Sequence, residues 1–199
     1  MSFKKKATLA LMAIASTAIF SIASNAQAEA SPQVRFATSA GDFVVELYPD
    51  KAPKTVENFL QYVRDKHYDG TIFHRVIPNF MVQGGGFDLK YAQKATRAPV
   101  VHEGRQALEK GGPRNVSGTL AMARTNDPQS ATAQFFINVN DNSFLNPSAR
   151  DYGYTVFGQV VSGMATIDKI KSTPTGSGGP FPSDVPKTPI LINSATLVK

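Results

Sequence analysis

Phe73-His74-Arg75-Val76-Ile77-Pro78-Asn79-Phe80-Met81-Val82-Gln83-Gly84-Gly85 reads as two β-strands and the turn between them. With the period of two that a strand imposes, Phe73, Arg75 and Ile77 share one face. Pro78-Asn79 is turn chemistry and sends the chain back through Phe80 to Gln83 on an antiparallel neighbour. Arg75 is thereby expected near Gln83. An arginine, a glutamine and a Phe-Met pair on adjacent strands make an apolar hollow with a few aimed donors, the general form of a small binding site.

Outward from this pair, Thr119 to Ala123, Gln134 to Val139, Thr155 to Val160 and Ile190 to Val198 are further β-prone runs. Val34 to Thr38 and Phe43 to Tyr48, around Ser39-Ala40-Gly41-Asp42, read as an opening hairpin. Two segments follow the helical period instead. Pro53 suits a first turn, and Val56, Phe59, Leu60 and Val63 then recur at i, i+3, i+4 and i+7. A shorter helix is expected over Met164 to Lys171, with Met164, Ile167 and Ile170 on one face. The expected fold is mainly β, an eight-stranded antiparallel closed barrel capped by two helices. Asp88 to Ser117 and Pro174 to Pro189, rich in Gly, Pro and polar residues, are expected to be loops.

The first residues carry a different signal. Lys4, Lys5 and Lys6 precede an apolar run from Ala7 to Ala23, and Ala26-Gln27-Ala28 follows as a small-x-small triplet. That order is a cleavable secretory signal peptide over residues 1–28, leaving one domain over 29–199. The run, rich in Ala, Ser and Thr, suits a leader better than a permanent membrane span. Export to the periplasm follows, with no stable membrane association after cleavage. Residues 29–199 hold 18 basic and 15 acidic residues, so the formal charge of +6 falls to +3. The remaining basic residues are scattered, which argues against a nucleic-acid surface. The chain has no cysteine, which excludes disulfides and a lipid-bearing cysteine, so stability rests on packing.

Several familiar chemistries find no residues here. His67, His74 and His102 lack acidic or cysteine partners at metal spacing, so neither a metal nor another cofactor is expected. Gly84-Gly85-Gly86 is not followed by the Lys-Ser or Lys-Thr of a phosphate loop. No Gly-x-Ser-x-Gly nucleophile elbow occurs.

From Val34 to Val198 the chain resembles the cyclophilin family, and the blocks that carry the likeness are specific. FHRVIPNFMVQGG at 73–85 is similar to the family's signature strand pair. Gly118 to Arg124 with Ser130 to Ile137 resembles its second block, and Asn142-Ser143-Phe144-Leu145-Asn146 with Tyr154 to Gly158 its last pocket wall. Ala123-Arg124 looks like the bacterial periplasmic branch. The resemblance implies a peptidyl-prolyl cis-trans isomerase acting on proline-containing polypeptides as a monomer, with its groove on the barrel's outer face. It implies that Phe80, Met81, Phe136 and Leu145 enclose the prolyl ring. Gln83 and Gln134, with the backbone of Ala123 and Arg124, would hold the peptide, and Arg75 would act on the rotating bond together with Phe80 and Gln83. Phe144 stands where the family has tryptophan and Tyr154 where many members have histidine. Both keep an aromatic wall, but without an indole N–H the likeness does not extend to tight cyclosporin binding. Alternation along 134–139 puts Phe135 and Phe136 on opposite faces, so with Phe136 given to the groove by the resemblance, Phe135 is expected inward. The alternative is a peptide-binding module or holdase chaperone that uses the same groove without turnover.

Overall fold

The computed structural model describes residues 31–198; the expected signal peptide over 1–28 lies outside the described residues. Eight strands close into an antiparallel barrel. In chain order they are β1 (Gln33–Thr38), β2 (Gly41–Leu47), β3 (Thr71–Ile77), β4 (Met81–Asp88), β5 (Thr119–Met122), β6 (Phe135–Asn138), β7 (Val156–Ser162) and, last, β10 (Leu191–Leu197). Around the barrel the order is β1-β10-β3-β4-β6-β5-β7-β2. The first strand therefore lies between the second and the last, with Val34 opposite Leu197 and Phe36 opposite Ala195. Closure leaves the barrel itself without a sheet edge, as a barrel of this strand number allows.

Inward residues fill the barrel with rings. Phe36 and Phe43 stack with centroids 4.8 Å apart, Phe135 stands 5.3 Å from Phe36, and Phe73 meets Phe135 edge-on at 6.2 Å. Tyr68, fully buried, donates its hydroxyl to the Ala133 carbonyl at 2.9 Å, so its polar tip is satisfied within the core. Helix α1 (Pro53–Arg64) buries Val56, Phe59, Leu60 and Val63 against this core, the face its periodicity predicts. Its N-terminus is capped from a distance: the Glu103 carboxylate accepts from Lys54 N at 3.2 Å, Thr55 N at 2.8 Å and Thr55 Oγ1 at 2.8 Å. A carboxylate there meets both the orphan N–H groups and the positive end of the helix dipole.

The expected loops contain structure that the sequence reading missed. Within 88–117 lies α2 (Gly104–Glu109), so among the described residues three α-helices accompany the barrel rather than two. It is short, begins on a glycine and buries only Gly104 and Ala107, too few residues to display a helical period. The third helix, α3 (Met164–Lys171), buries Thr166, Ile167 and Ile170 while Met164 packs against the core at its edge. Within 174–189 a hairpin of β8 (Thr175–Gly178) and β9 (Phe181–Pro186) turns at Gly179-Pro180. Its strands carry Gly, Ser, Pro and Asp, residues depleted in strands, and it forms because Phe181 packs on Phe87 at 5.1 Å and on His74 at 5.5 Å.

Strand β3 departs from simple alternation. Phe73 pairs with Gly84 but Arg75 pairs with Gln83, so two steps on β3 match one on β4. This β-bulge leaves Phe73 inside the barrel while turning Arg75 to the exterior, where strict alternation would have placed them on one face. The expectation that Phe73 and Arg75 share a face is corrected accordingly. His74, the residue within the bulge, is 3% exposed and lies between Phe87 (4.7 Å) and Phe181.

The His74 Nδ1 has no hydrogen-bond partner, and burial pushes the imidazole down to about 4. The folded protein thus holds His74 neutral, whereas an unfolded chain protonates it near the ordinary value of about 6.5. Stability present above that value is lost as pH falls toward the folded value. The interval corresponds to roughly 3 kcal/mol. Denaturant titrations at neutral pH and near pH 4 should show wild type losing about that much more than His74→Leu; equal losses would show that His74 does not titrate this way.

Candidate active site

Outside the barrel wall a second apolar cluster forms from Met81, Ala121, Phe136, Leu145 and Val156, with Ile77, Phe80, Ala123 and Tyr154 packed at its margin. It is separate from the interior core because Met81, Ala121, Phe136 and Val156 occupy outward positions of β4, β5, β6 and β7, and Leu145 reaches them from the turn at Ser143–Leu145. Phe135 belongs to the interior and Phe136 to this outer cluster, on opposite faces as alternation predicts. The cluster floors a cleft of about 190 Å³ lined by Arg75, Phe80, Met81, Gln83, Ala123, Arg124, Phe136, Leu145 and Tyr154. Phe136 and Tyr154 meet edge-on at 5.4 Å, giving two perpendicular ring faces. Phe144 lies on the rim, 72% exposed, with its ring stacked 5.5 Å from Phe80.

A neighbouring hollow of about 310 Å³ shares Gln83, Ala123 and Arg124 with the cleft and adds Gln93, Thr96, Thr125, Ser130, Thr132 and Gln134. Every residue picked from the sequence therefore lies in the cleft or on its borders, Gln134 in this hollow and Phe144 on the rim. Polar groups sit where the two meet. Gln83 Nε2 donates to Gln134 Oε1 at 3.0 Å, which leaves Gln83 an acceptor and Gln134 a donor for a bound chain. Gln134 packs on the backbone at Gly86, where a Cβ would approach its Cδ to 2.5 Å, so only glycine admits it. The Ala123 N–H already donates to the Gln134 carbonyl at 3.0 Å, so what the Ala123 backbone can still offer a peptide is its carbonyl.

The two arginines of the cleft differ. Arg124 is anchored: its Nε donates to the Gly153 carbonyl at 3.0 Å, its Nη1 to the Thr125 carbonyl at 2.9 Å, and its guanidinium lies 4.7 Å over the Tyr154 ring. Its side chain is 10% exposed and serves as part of the wall. Arg75 is exposed, and among the described residues it has neither a salt bridge nor a side-chain hydrogen bond. A guanidinium without a partner at the mouth of an apolar cleft is available to a ligand.

The family model described as cyclophilin type peptidyl-prolyl cis-trans isomerase matches residues 33–197, nearly the whole described chain. The chain belongs to the cyclophilin family. It is 52% identical over 167 residues to peptidyl-prolyl cis-trans isomerase B of Escherichia coli, covering 82% of this chain and 98% of the relative. To a peptidyl-prolyl cis-trans isomerase of Acinetobacter baylyi it is 50% identical over 173 residues, covering 87% and 89%. The crystal structure of a Cryptosporidium parvum cyclophilin superposes with a TM-score of 0.65 at 24% identity, covering 85% of this chain and 98% of that one, a likeness of fold. This cyclophilin is a peptidyl-prolyl cis-trans isomerase, and the family binds proline-containing peptides. Among its described residues, no group of three or more His, Cys, Asp or Glu is placed to hold a metal ion, and no helix is long and apolar enough to cross a membrane.

Sequence reasoning missed what holds the pocket wall in place. Asn142 Nδ2 donates to the Phe80 carbonyl at 2.8 Å and to Asn138 Oδ1 at 2.7 Å; Asn138 donates to Asn115 Oδ1 at 3.2 Å; Asn115 N donates to Asn146 Oδ1 at 2.8 Å and its Nδ2 to the Leu145 carbonyl at 3.2 Å. All four asparagines are buried. The network ties the Ser143–Leu145 turn, which carries Phe144 and Leu145, to Phe80 on the opposite wall. Four asparagines at irregular spacing leave no periodic signal; their shared feature is burial, which only the fold shows.

Replacing Asn142 by Ala orphans the buried Asn138 Oδ1 and leaves the Phe80 carbonyl only its bond from Val139 N. That should lower the unfolding free energy by about 1–3 kcal/mol. It should also reduce kcat/KM by about tenfold as the cleft widens. Denaturant unfolding and a protease-coupled proline-isomerisation assay check both, and an Asn142→Ala protein with wild-type kcat/KM would detach this network from the cleft.

Proposed function

We propose that this cyclophilin assists the folding of exported polypeptides and that Arg75 stabilises the rotating X-Pro bond. The observation that carries the reading is the unpaired guanidinium beside a ring-sized apolar cleft. In the ground state an X-Pro bond is planar through C–N double-bond character, and rotation faces about 18–20 kcal/mol. At the twisted transition state the imide nitrogen regains a lone pair. A guanidinium directed at that nitrogen binds it more strongly there than in either planar isomer. This is differential binding, which accelerates the reaction with no covalent intermediate.

The other groups make this interaction effective. Phe80, Met81, Phe136 and Leu145 take the prolyl ring, each buried CH₂ contributing ~0.8 kcal/mol, enough for capture and weak enough for release. Gln83 and Gln134 hold the adjoining backbone, so the ring stays fixed while the preceding segment turns. Each tenfold in rate asks for ~1.36 kcal/mol, and Arg75, orientation and exclusion of water share the total. Export rests on Lys4 to Lys6, the run to Ala23 and the Ala26-Gln27-Ala28 triplet, and the isomerase is proposed to work in the periplasm as a monomer. Prolyl isomerisation there takes tens of seconds uncatalysed and limits folding.

Two measurements test the proposal. In the protease-coupled assay on an Ala-Pro peptide, Arg75→Ala should lose about a hundredfold or more in kcat/KM, a transition-state interaction of ~3 kcal/mol. Wild-type rates in that variant would remove the mechanism. Mass spectrometry of the protein recovered from the periplasm should give a chain beginning at Glu29; a retained Met1 to Ala28 would contradict release from the membrane.

A further inference from the structure

His102 stands outside the cleft, yet it reaches one of the cleft's supports. Its Nε2 lies 3.1 Å from the Gly153 carbonyl, the oxygen that also accepts from Arg124 Nε at 3.0 Å. Gly104 N donates to His102 Nδ1 at 3.2 Å. Nδ1 is therefore the acceptor and Nε2 carries the proton, so the imidazole donates to Gly153 as Arg124 does. Two donors from separate segments converge on one backbone oxygen.

That oxygen occupies a constrained place. Gly153 is buried with φ +62, and a Cβ there would collide with the backbone of Asn146 and Pro147. The next residue, Tyr154, lines the cleft, and its N–H donates to the Leu145 carbonyl at 2.9 Å. Displacement of Gly153 would thus move the Tyr154 ring and the Leu145 wall together. The residue after His102 reinforces the link, since the Glu103 N–H donates to Thr155 Oγ1 at 3.2 Å while its carboxylate caps α1. The consecutive residues His102 and Glu103 thus hold Gly153 and Thr155, on either side of Tyr154, and tie the segment to the helix.

We propose that His102 is a positioning residue for the proline cleft: with Arg124 it clamps the Gly153 carbonyl, fixes the Tyr154 wall, and lets it loosen when the imidazole takes a second proton. Protonation at Nδ1 would set an N–H against the Gly104 N–H and place a second cation beside the Arg124 guanidinium on the same oxygen. The groups that face His102 are the Arg124 guanidinium, the Asp151 carboxylate, the Glu103 carboxylate, which is turned toward α1, and the Tyr152 ring at 5.8 Å. Burial holds the imidazole below its ordinary value, opposed by the bond to Gly153 and reinforced by the charge of Arg124. The neutral, clamped form therefore prevails at neutral pH and gives way only below the range in which an ordinary histidine protonates.

The inference rests on the cleft being the prolyl site, and one series of measurements separates the two. Exchange NMR with line-shape analysis of an Ala-Pro peptide gives KM and kcat from about pH 5 to pH 8, the range in which a histidine titrates. Wild type should show an acid limb in which KM rises. His102→Gln, which keeps a donor near the Nε2 position, should match wild type at neutral pH and lose that limb. His102→Ala should raise KM about fivefold at neutral pH and show no acid limb, the worth of one hydrogen bond, with kcat nearly unchanged. A wild-type acid limb persisting in His102→Gln, or an unchanged KM in His102→Ala, would overturn the role of His102 even where Arg75→Ala loses activity. Wild-type rates in Arg75→Ala would overturn the cleft reading, and this inference with it.

Discussion

The bulge in β3 is the constraint on which the site depends. A barrel interior needs Phe73 and Val76 inward, both fully buried, while the cleft needs Arg75 outward. Strict alternation cannot satisfy both, because residues two apart on a strand point the same way. One extra residue opposite β4 resolves the conflict and turns the guanidinium through the wall. That residue, His74, must then be covered. The β8–β9 hairpin covers it with Phe181, so a segment remote from the cleft supports the placement of Arg75.

The barrel separates two tasks that would otherwise compete. Its interior is filled by interlocking rings, which makes it rigid, and its exterior between β4 and β7 carries a smaller apolar cluster left open to solvent on one side. Packed cores are close to incompressible, so the interior gives the cleft a wall that does not yield. The wall that is not strand, the turn at 143–145 and the segment at 153–155, is stiffened by hydrogen bonds: the buried asparagines on one side and the Gly153 clamp on the other. The polar residues around this pocket thus serve its shape more than its contact with a ligand.

Much of this was legible in the sequence because it follows from periodicity. Alternating Val, Ile, Phe and Thr located all eight barrel strands to within a few residues, and the i, i+3, i+4, i+7 pattern of Val56 to Val63 located α1 with its buried face. That Phe135 and Phe136 face opposite ways came from the same rule, and the family resemblance said which of them is outward. What escaped depends on contacts distant in sequence. The β3 bulge shows only when β4 is paired beside it. Strand β4 runs on through Gly84-Gly85-Gly86, past the Gln83 where the expected strand ends, because Gly85 at φ +85 sits against the Tyr68 ring. The hairpin at 175–186 and α2 are held by Phe181 and Ala107 against distant partners rather than by local preference. Glu103, which caps a helix 48 residues earlier in the chain, belongs with them.

The place of β1 has a consequence for how the molecule is made. Its neighbours are β2, available at once, and β10, the last strand to emerge. Until β10 arrives, β1 and β3 each present an unpaired edge, and the ring-filled interior stays open along that seam. Assembly therefore waits on the end of the chain, the condition of high contact order that slows folding and exposes edges to other chains. Loss of β10 would leave a sheet with two free borders in place of a barrel, so the wall that carries the cleft closes only when β1 and β3 have both found this strand.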